Sequence, residues 1–458
     1  MLLKFFVTHK KMLAVLLGLS IFFTVFYISM AALMNSKTFY KGISVEDLAL
    51  GGLSREQAVA AVEKRLNDTF GSRRLSLCWN NQKWEVSFED ISLRFLIDDT
   101  LNKAFAIGRK GNLISRLSRI IRLSFDGIDL STPVDYDREK LYKFLAGIKN
   151  EVDLPAKNAA ASYRDGKVEI TREEVGKSLD IDKNIKLIEN YIRERKFDNI
   201  ALFVEDNPPL VLYDNIKEIG SVIASFSTVF NPGDLNRSYN IGLACSKING
   251  TILLKNDIFS MNKALGPRTI ENGYKDAPVI YKDELVPGPG GGVCQVTTTL
   301  YDAVLKAKLK IVERTHHSMP SWYVEPGQDA TIAGDYIDLK FKNSTDYPVC
   351  IAAEVSGNKL IIRILGRDTG EGNVVKLKSQ IVEEFQPGEP EYIVDDTVPE
   401  NTMITVREAK KGLKVVVFRE TYDRSGNLIK KETISEDFYK PARAQIKVNE
   451  NFYNRLKN

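Results

Sequence analysis

Between Met12 and Met34 the sequence runs for 23 residues without a charge. As a helix that run is about 34 Å long, enough for a hydrocarbon core of about 30 Å. It predicts one transmembrane helix, with residues 1–11 as a cytoplasmic tail. Lys4, Lys10 and Lys11 precede the run, and the positive-inside rule keeps them in the cytoplasm while everything after Lys37 is exported. A cleaved signal peptide would have a shorter apolar core, about 7 to 15 residues, ending on small residues. Ala31 and Ala32 suit such an end, but the length favours a retained anchor. The expected location is the cell membrane, single-pass, with the later domains extracellular.

The exported part is long enough for several domains, since the chain has 458 residues and a domain takes about 100 to 200. Hydrophobic residues at 43% and charged residues at 27% exclude wholesale disorder and a polytopic membrane protein. A net charge of +4, from 64 basic and 60 acidic residues, is too small over this length to call for nucleic acid. Nucleotides are scarce outside the membrane, so none is expected as a ligand. The four cysteines, Cys78, Cys245, Cys294 and Cys350, form no C-x-x-C pair, which fits neither a disulfide scaffold nor a zinc module. No metal or other cofactor is expected. Beyond His9, the only imidazoles are the adjacent His316 and His317.

The organisation reads as α+β and multidomain. A helix is expected over 45–66, opened by Ser44 or Ser54. Residues 79–99 then recur at an offset of 84, with identities at Lys83/Lys167, Glu85/Glu169, Glu89/Glu173, Ile97/Ile181 and Asp98/Asp182. Each copy reads as a hairpin, a connection and a helix, the helices over 100–107 and 184–194. Two α+β repeats are therefore expected, over 45–130 and 131–214. Asn207, Pro208 and Pro209 close the second, because consecutive prolines resist helix and ladder alike. A chemistry-bearing α+β domain is expected over 215–367. A small all-β domain over 374–448 follows, with strands at 414–418 and 429–434 around a turn at Ser425, Gly426 and Asn427. Its functional content reads as low.

The chemistry centres on VPGPGGGVCQVTTTLYDAVLKAKL, from Val286. Pro287 to Gly292 should continue no regular element, whereas Val296, Leu300, Val304 and Ala307 keep helical spacing. Cys294 then stands where a glycine-rich loop becomes a helix. Unpaired N–H groups and the positive helix end favour a thiolate there and could form an oxyanion hole. Gly288, Gly290, Gly291 and Gly292 leave room for a substrate backbone. A phosphate loop would end Gly-Lys-Ser/Thr, which is absent here. A nucleophilic thiol wants an imidazole base and a carboxylate to orient it. His316 or His317 is the base, and Asp329, Asp335 and Asp338 are the carboxylates within reach in sequence, with Asp329 carried forward.

The motifs NRSYNI (236–241), KINGTIL (247–253), GPRTIENGYKDAPVI (266–280), GGGVCQVTTTLYDA (290–303), His317-Ser318, GQDATI (327–332) and DLKFKNSTDYPV (338–349) resemble, in order and spacing, the VanW domain of Gram-positive cell-envelope proteins. One departure is Lys255-Asn256-Asp257, where that family usually carries Pro-Gly-Glu. The upstream repeats are similar to peptidoglycan-binding modules that often precede the domain, and the C-terminal segment resembles the five-glycine surface domain. The resemblance implies an L,D-transpeptidase acting on peptidoglycan stem peptides, with Cys294 as nucleophile and His317, the histidine before serine, as base. Gly291, Gly292, Gln295, Arg237, Arg268 and His316 are the residues expected around the substrate, the two arginines as carboxylate clamps. The alternatives from the sequence are a non-catalytic peptidoglycan-binding scaffold, or a cysteine carboxypeptidase or endopeptidase that uses water as acceptor.

Overall fold

The computed structural model describes residues 2–281 and 284–457. Leu2–Met34 is one helix, and its Met12–Met34 part is long and apolar enough to cross a membrane, consistent with an anchor or a signal peptide. The side chains of residues 2–11, including Lys4, Lys10 and Lys11, lie outside the described residues. The rest is α+β with several small sheets, in two compact units.

Unit one comprises Met1–Pro155 and Gly176–Asn207. The expected helix over 45–66 starts later, because short strands Ile43–Val45 and Leu48–Ala49 come first. Arg55–Phe70 is the helix, and Ser54 and Gln57 close a reciprocal capping box at its start. Ala58, Val62, Leu66 and Phe70 recur at helical spacing and are buried. The hairpin Arg74–Trp79/Gln82–Ser87 pairs through Leu77 and Cys78 with the parallel strand Ile200–Ala201. Helices Ile97–Ala106 and Ile181–Arg193 correspond to the two helices expected from the recurrence.

Unit two comprises Ala156–Val175 and Pro208–Asn458. The hairpin Ala160–Arg164/Lys167–Thr171 therefore leaves the unit that holds its neighbouring helix, a division not expected for a 131–214 repeat. The reason lies in a four-stranded sheet ordered Ser221–Val229, Lys359–Gly366, Val349–Ser356, Ile252–Leu253. Alternate residues of a strand face opposite sides, and here both sides are apolar. Ile351, Ile362 and Ile364 pack against the helices Leu235–Ile248 and Val293–Lys306, while Cys350, Ala352 and Leu365 pack with Ala159, Ala161, Ile216 and Ile219. The hairpin covers a face that would otherwise be exposed.

Val293–Lys306 is the central helix, with Val296, Leu300, Val304 and Leu305 fully buried. Each such side chain contributes about 1.5–3 kcal/mol relative to exposure. The C-terminal part is β-rich as expected. Val374–Phe385, Gly412–Tyr422 and Leu428–Tyr439 form one sheet, and Glu391–Val394, Gln445–Val448 and Met403–Arg407 a second.

Candidate active site

The strand Glu284–Pro289 pairs with Asp276–Tyr281, so Pro287 and Pro289 belong to a hairpin arm where irregular loop was expected. Both prolines occupy an end strand of a two-stranded sheet, where a missing N–H is tolerated. The chain turns at Gly290 and Gly292, whose φ values of 87° and 103° favour glycine, and the helix begins at Val293. The Cys294 N–H has no hydrogen-bond partner among the described residues, which leaves it available to an oxyanion. Gly291 and Gly292 line the cleft beside Cys294 and are also tightly packed behind it. A Cβ on Gly291 would lie 2.7 Å from the backbone of Ala277 and Pro278, and one on Gly292 3.0 Å from Arg237 and Ile241.

Cys294 is half-buried, and its Sγ lies 3.4 Å from the Thr331 hydroxyl. The His317 imidazole is close enough to act on it electrostatically. Burial pushes the thiol up, but the imidazole of His317, with smaller help from the Ile332 backbone and Thr331, outweighs it and brings the pKa down to about 7. Burial pulls His317 down, yet its bond to Asp329 and the nearby Cys294 prevail and raise it to about 9. Its Nδ1 is 2.6 Å from Asp329 Oδ2, and the same oxygen accepts the His317 N–H at 2.7 Å. That leaves Nε2 for the thiol, the tautomer a base of this kind needs.

Of the three carboxylates, only Asp329 reaches an imidazole. Asp338 accepts from Ser260 Oγ at 2.6 Å and the Asn262 N–H at 2.9 Å, and Asp335 is exposed. His316 turns away: its Nδ1 is 2.6 Å from the His317 carbonyl, and its ring meets that of Tyr439 edge-on at 4.9 Å. Gln295 lines the cleft with its amide already engaged. It donates to Thr228 Oγ1 and the Val229 carbonyl, both at 2.9 Å, and accepts from Arg237 Nη2 at 2.6 Å. Arg237 is thereby held in place with a buried Nη1 that has no partner among the described residues. Arg268 is tied to Asn262 Oδ1 and the Gly334 carbonyl at 2.8 and 2.7 Å, a brace between loops.

Sequence reasoning missed the support behind Asp329. Tyr439, 110 residues away, donates its hydroxyl to Asp329 Oδ1 and accepts the Gly327 N–H at 2.7 Å. Arg314 binds the Asp329 carbonyl through Nε at 2.8 Å and grips Asp437 at 2.6 and 2.8 Å. Gln328 reaches Ser379 at 3.0 Å. The C-terminal segment thus holds the loop that carries the orienting carboxylate, contrary to its expected low functional content. It also supplies Arg407, Glu408 and Lys410 to a cleft of about 1880 Å³ that contains Cys294, His317 and Arg237. The Arg314/Asp437 pairing was the missed signal, but no local pattern marks it.

Comparison with known proteins fits this division. Residues 236–365 match the family described as VanW like protein. The chain is a VanW-domain protein. Upstream of its VanW domain, residues 84–201 match the "Putative peptidoglycan binding domain" as one span, crossing the expected boundary at 130/131. Downstream, residues 378–448 match the G5 domain. The chain is 39% identical over 155 residues to the uncharacterized protein YoaR of Bacillus subtilis, covering 34% of this chain and 51% of the relative. It is 30% identical over 132 residues to the vancomycin B-type resistance protein VanW of Enterococcus faecalis, covering 28% and 48%. The chain spans about half the length of these curated relatives. The solved IgA1 protease G5 domain is 17% identical, over 17% of this chain and 90% of that one, at a TM-score of 0.12, too low to count as evidence of fold.

Proposed function

We propose that the VanW domain is a cysteine acyltransferase acting on peptidoglycan stem peptides, an L,D-transpeptidase held at the membrane by residues 12–34. The observation that carries this reading is the Cys294–His317–Asp329 line at a helix start, in a cleft large enough for a peptide. In the proposed reaction the Cys294 thiolate attacks the carbonyl of the third residue of a donor stem, and the Cys294 N–H faces the oxyanion. The peptide bond breaks, the terminal D-Ala leaves as the amine with a proton from His317, and a thioester remains. An acceptor amine then attacks the thioester, His317 takes its proton, and the thiolate departs. The thioester keeps the acyl group activated, so that transfer to an amine needs no other energy source. Arg237, in the same cleft as Cys294 and with an Nη1 that has no partner among the described residues, suits a carboxylate of the stem.

The comparisons alone favour a second reading, a non-catalytic peptidoglycan-binding envelope protein, because the 84–201 match concerns binding. Incubation of the full chain with purified muropeptides, followed by intact-mass and product analysis, separates the readings. An acyl adduct on Cys294 and a cross-linked dimer support the transferase. Tripeptide without dimer points to a hydrolase. Neither adduct nor product, with retained binding to sacculi, supports the scaffold.

A further inference from the structure

Helix Leu113–Asp126, in unit one, has two apolar sides. Ile120 and Leu123 are buried in the core of the unit. Leu113, Ile114, Ile121 and Phe125 are 68%, 81%, 50% and 84% exposed. At 100° per residue these four and Leu117 fall within an arc of about 120°, with Ser118, Arg122, Asp126 and Arg119 farther around the helix. From residue 108 to residue 126, the end of the helix, there are five basic residues, Arg109, Lys110, Arg116, Arg119 and Arg122, against one acidic residue, Asp126. An exposed apolar stripe bordered by arginines is the pattern of a helix lying in a lipid interface.

The position of the helix agrees with that pattern. Arg116 donates to the carbonyl of Met34, the last residue of the apolar span, at 2.8 Å. The Tyr40 hydroxyl donates to the same carbonyl at 3.2 Å, and Arg109 reaches the Ser36 carbonyl at 3.1 Å. Two groups therefore cap the end of the N-terminal helix, and one of them belongs to the amphipathic helix. If residues 12–34 span the bilayer, Met34 lies at its outer surface, and the Leu113–Asp126 helix comes within one arginine side chain of that surface at Arg116.

We infer that this helix is a second membrane contact, seated in the outer leaflet at the boundary of headgroups and acyl chains, with Arg119 and Arg122 on anionic headgroups. Its effect is to fix the orientation of unit one on the membrane, which a single flexible anchor would leave free. The inference rests on residues 12–34 being a retained anchor.

The test uses the full chain carrying Phe125→Trp, reconstituted in vesicles of phosphatidylglycerol and phosphatidylcholine with bromine in the upper acyl chain. Relative to the unsubstituted chain, the added indole emission should be blue-shifted and should lose about half its intensity or more to the bromine, as expected at interfacial depth. Adding Arg119→Glu and Arg122→Glu should reduce that loss in anionic vesicles to the level seen in phosphatidylcholine alone. Ile114→Trp provides the same readout from the other end of the stripe. Unquenched, water-like emission from both indoles in a chain that floats with the vesicles overturns the inference. So does a blue shift without quenching that grows with protein concentration, which would mean that a second copy covers the face. An unsubstituted chain that does not float with vesicles overturns the anchor reading itself, and this inference with it.

Discussion

Cys294 and the pair Cys245 and Cys350 are chemically identical thiols in opposite settings. Cys245 lies on the inner face of the Leu235–Ile248 helix and Cys350 in a strand, both buried, and burial, joined at Cys245 by the charge of Glu354, pushes each up to about 12. Cys294 is also penalised by its surroundings, yet it ends near 7 because an imidazole stands against it. The difference teaches that the glycine loop and helix start are not enough by themselves. What lowers the pKa of this thiol is a partner brought from another loop, and that partner is itself held by Asp329.

The contrast is broken most completely by removing the thiol. Cys294→Ala should lower acylation by a factor of about 10³ or more, to background. Thermal melting should stay close to that of the unchanged chain; retained thioester formation, read by intact mass, would sink the proposed mechanism.

Removing the imidazole should make Cys294 resemble the other two. In His317→Ala the burial penalty remains without its compensation, so the thiol pKa should rise, and acylation should fall by about 10²- to 10⁴-fold. In the unchanged chain the rate of acylation should climb with pH through about 7, as the thiolate forms, and decline through about 9, as His317 loses the proton needed by the leaving amine. Iodoacetamide labelling across pH would follow the first limb, which should move upward in the variant. His316→Ala, whose ring faces Tyr439, should leave that limb in place.

Smaller effects sharpen the comparison at the support of the histidine. Asp329→Asn keeps the shape but no longer favours the imidazolium, and should cost about 10²-fold in acylation with a lower His317 pKa. Tyr439→Phe removes one hydrogen bond to that carboxylate. At about 1 kcal/mol for such a bond, acylation should fall by about fivefold, and the pH at which the rate declines should shift while folding persists. If Tyr439→Phe leaves the pH profile unmoved, the G5 domain serves that loop only as a structural neighbour.

The least effect is expected from Cys245→Ala and Cys350→Ala. Each empties a small volume in a packed core, worth about 1 kcal/mol of stability, and neither should change acylation. Labelling of either thiol at a rate close to that of Cys294 would show that the contrast drawn here is false.

What could be read along the chain was whatever a short window encodes. An uncharged run long enough to cross a bilayer needs no partner to be recognised, and neither does a run of glycines followed by helical spacing at Cys294. The two recurring hairpins and helices were legible for the same reason, since alternation and helical period are local. Where those pieces went was decided by tertiary structure. The 160–171 hairpin left its own copy because a two-faced sheet, assembled from strands far downstream, offered an apolar surface to cover. Asp329 was chosen over Asp335 and Asp338 by the placement of His317, and the bond between Gln295 and Arg237 was set by the packing of two helices. Tyr439 and Arg314 entered the site through pairings 110 and 123 residues long. A hydrogen bond of that span leaves no periodicity in the sequence, because its two ends are constrained only by the packed surfaces that bring them together.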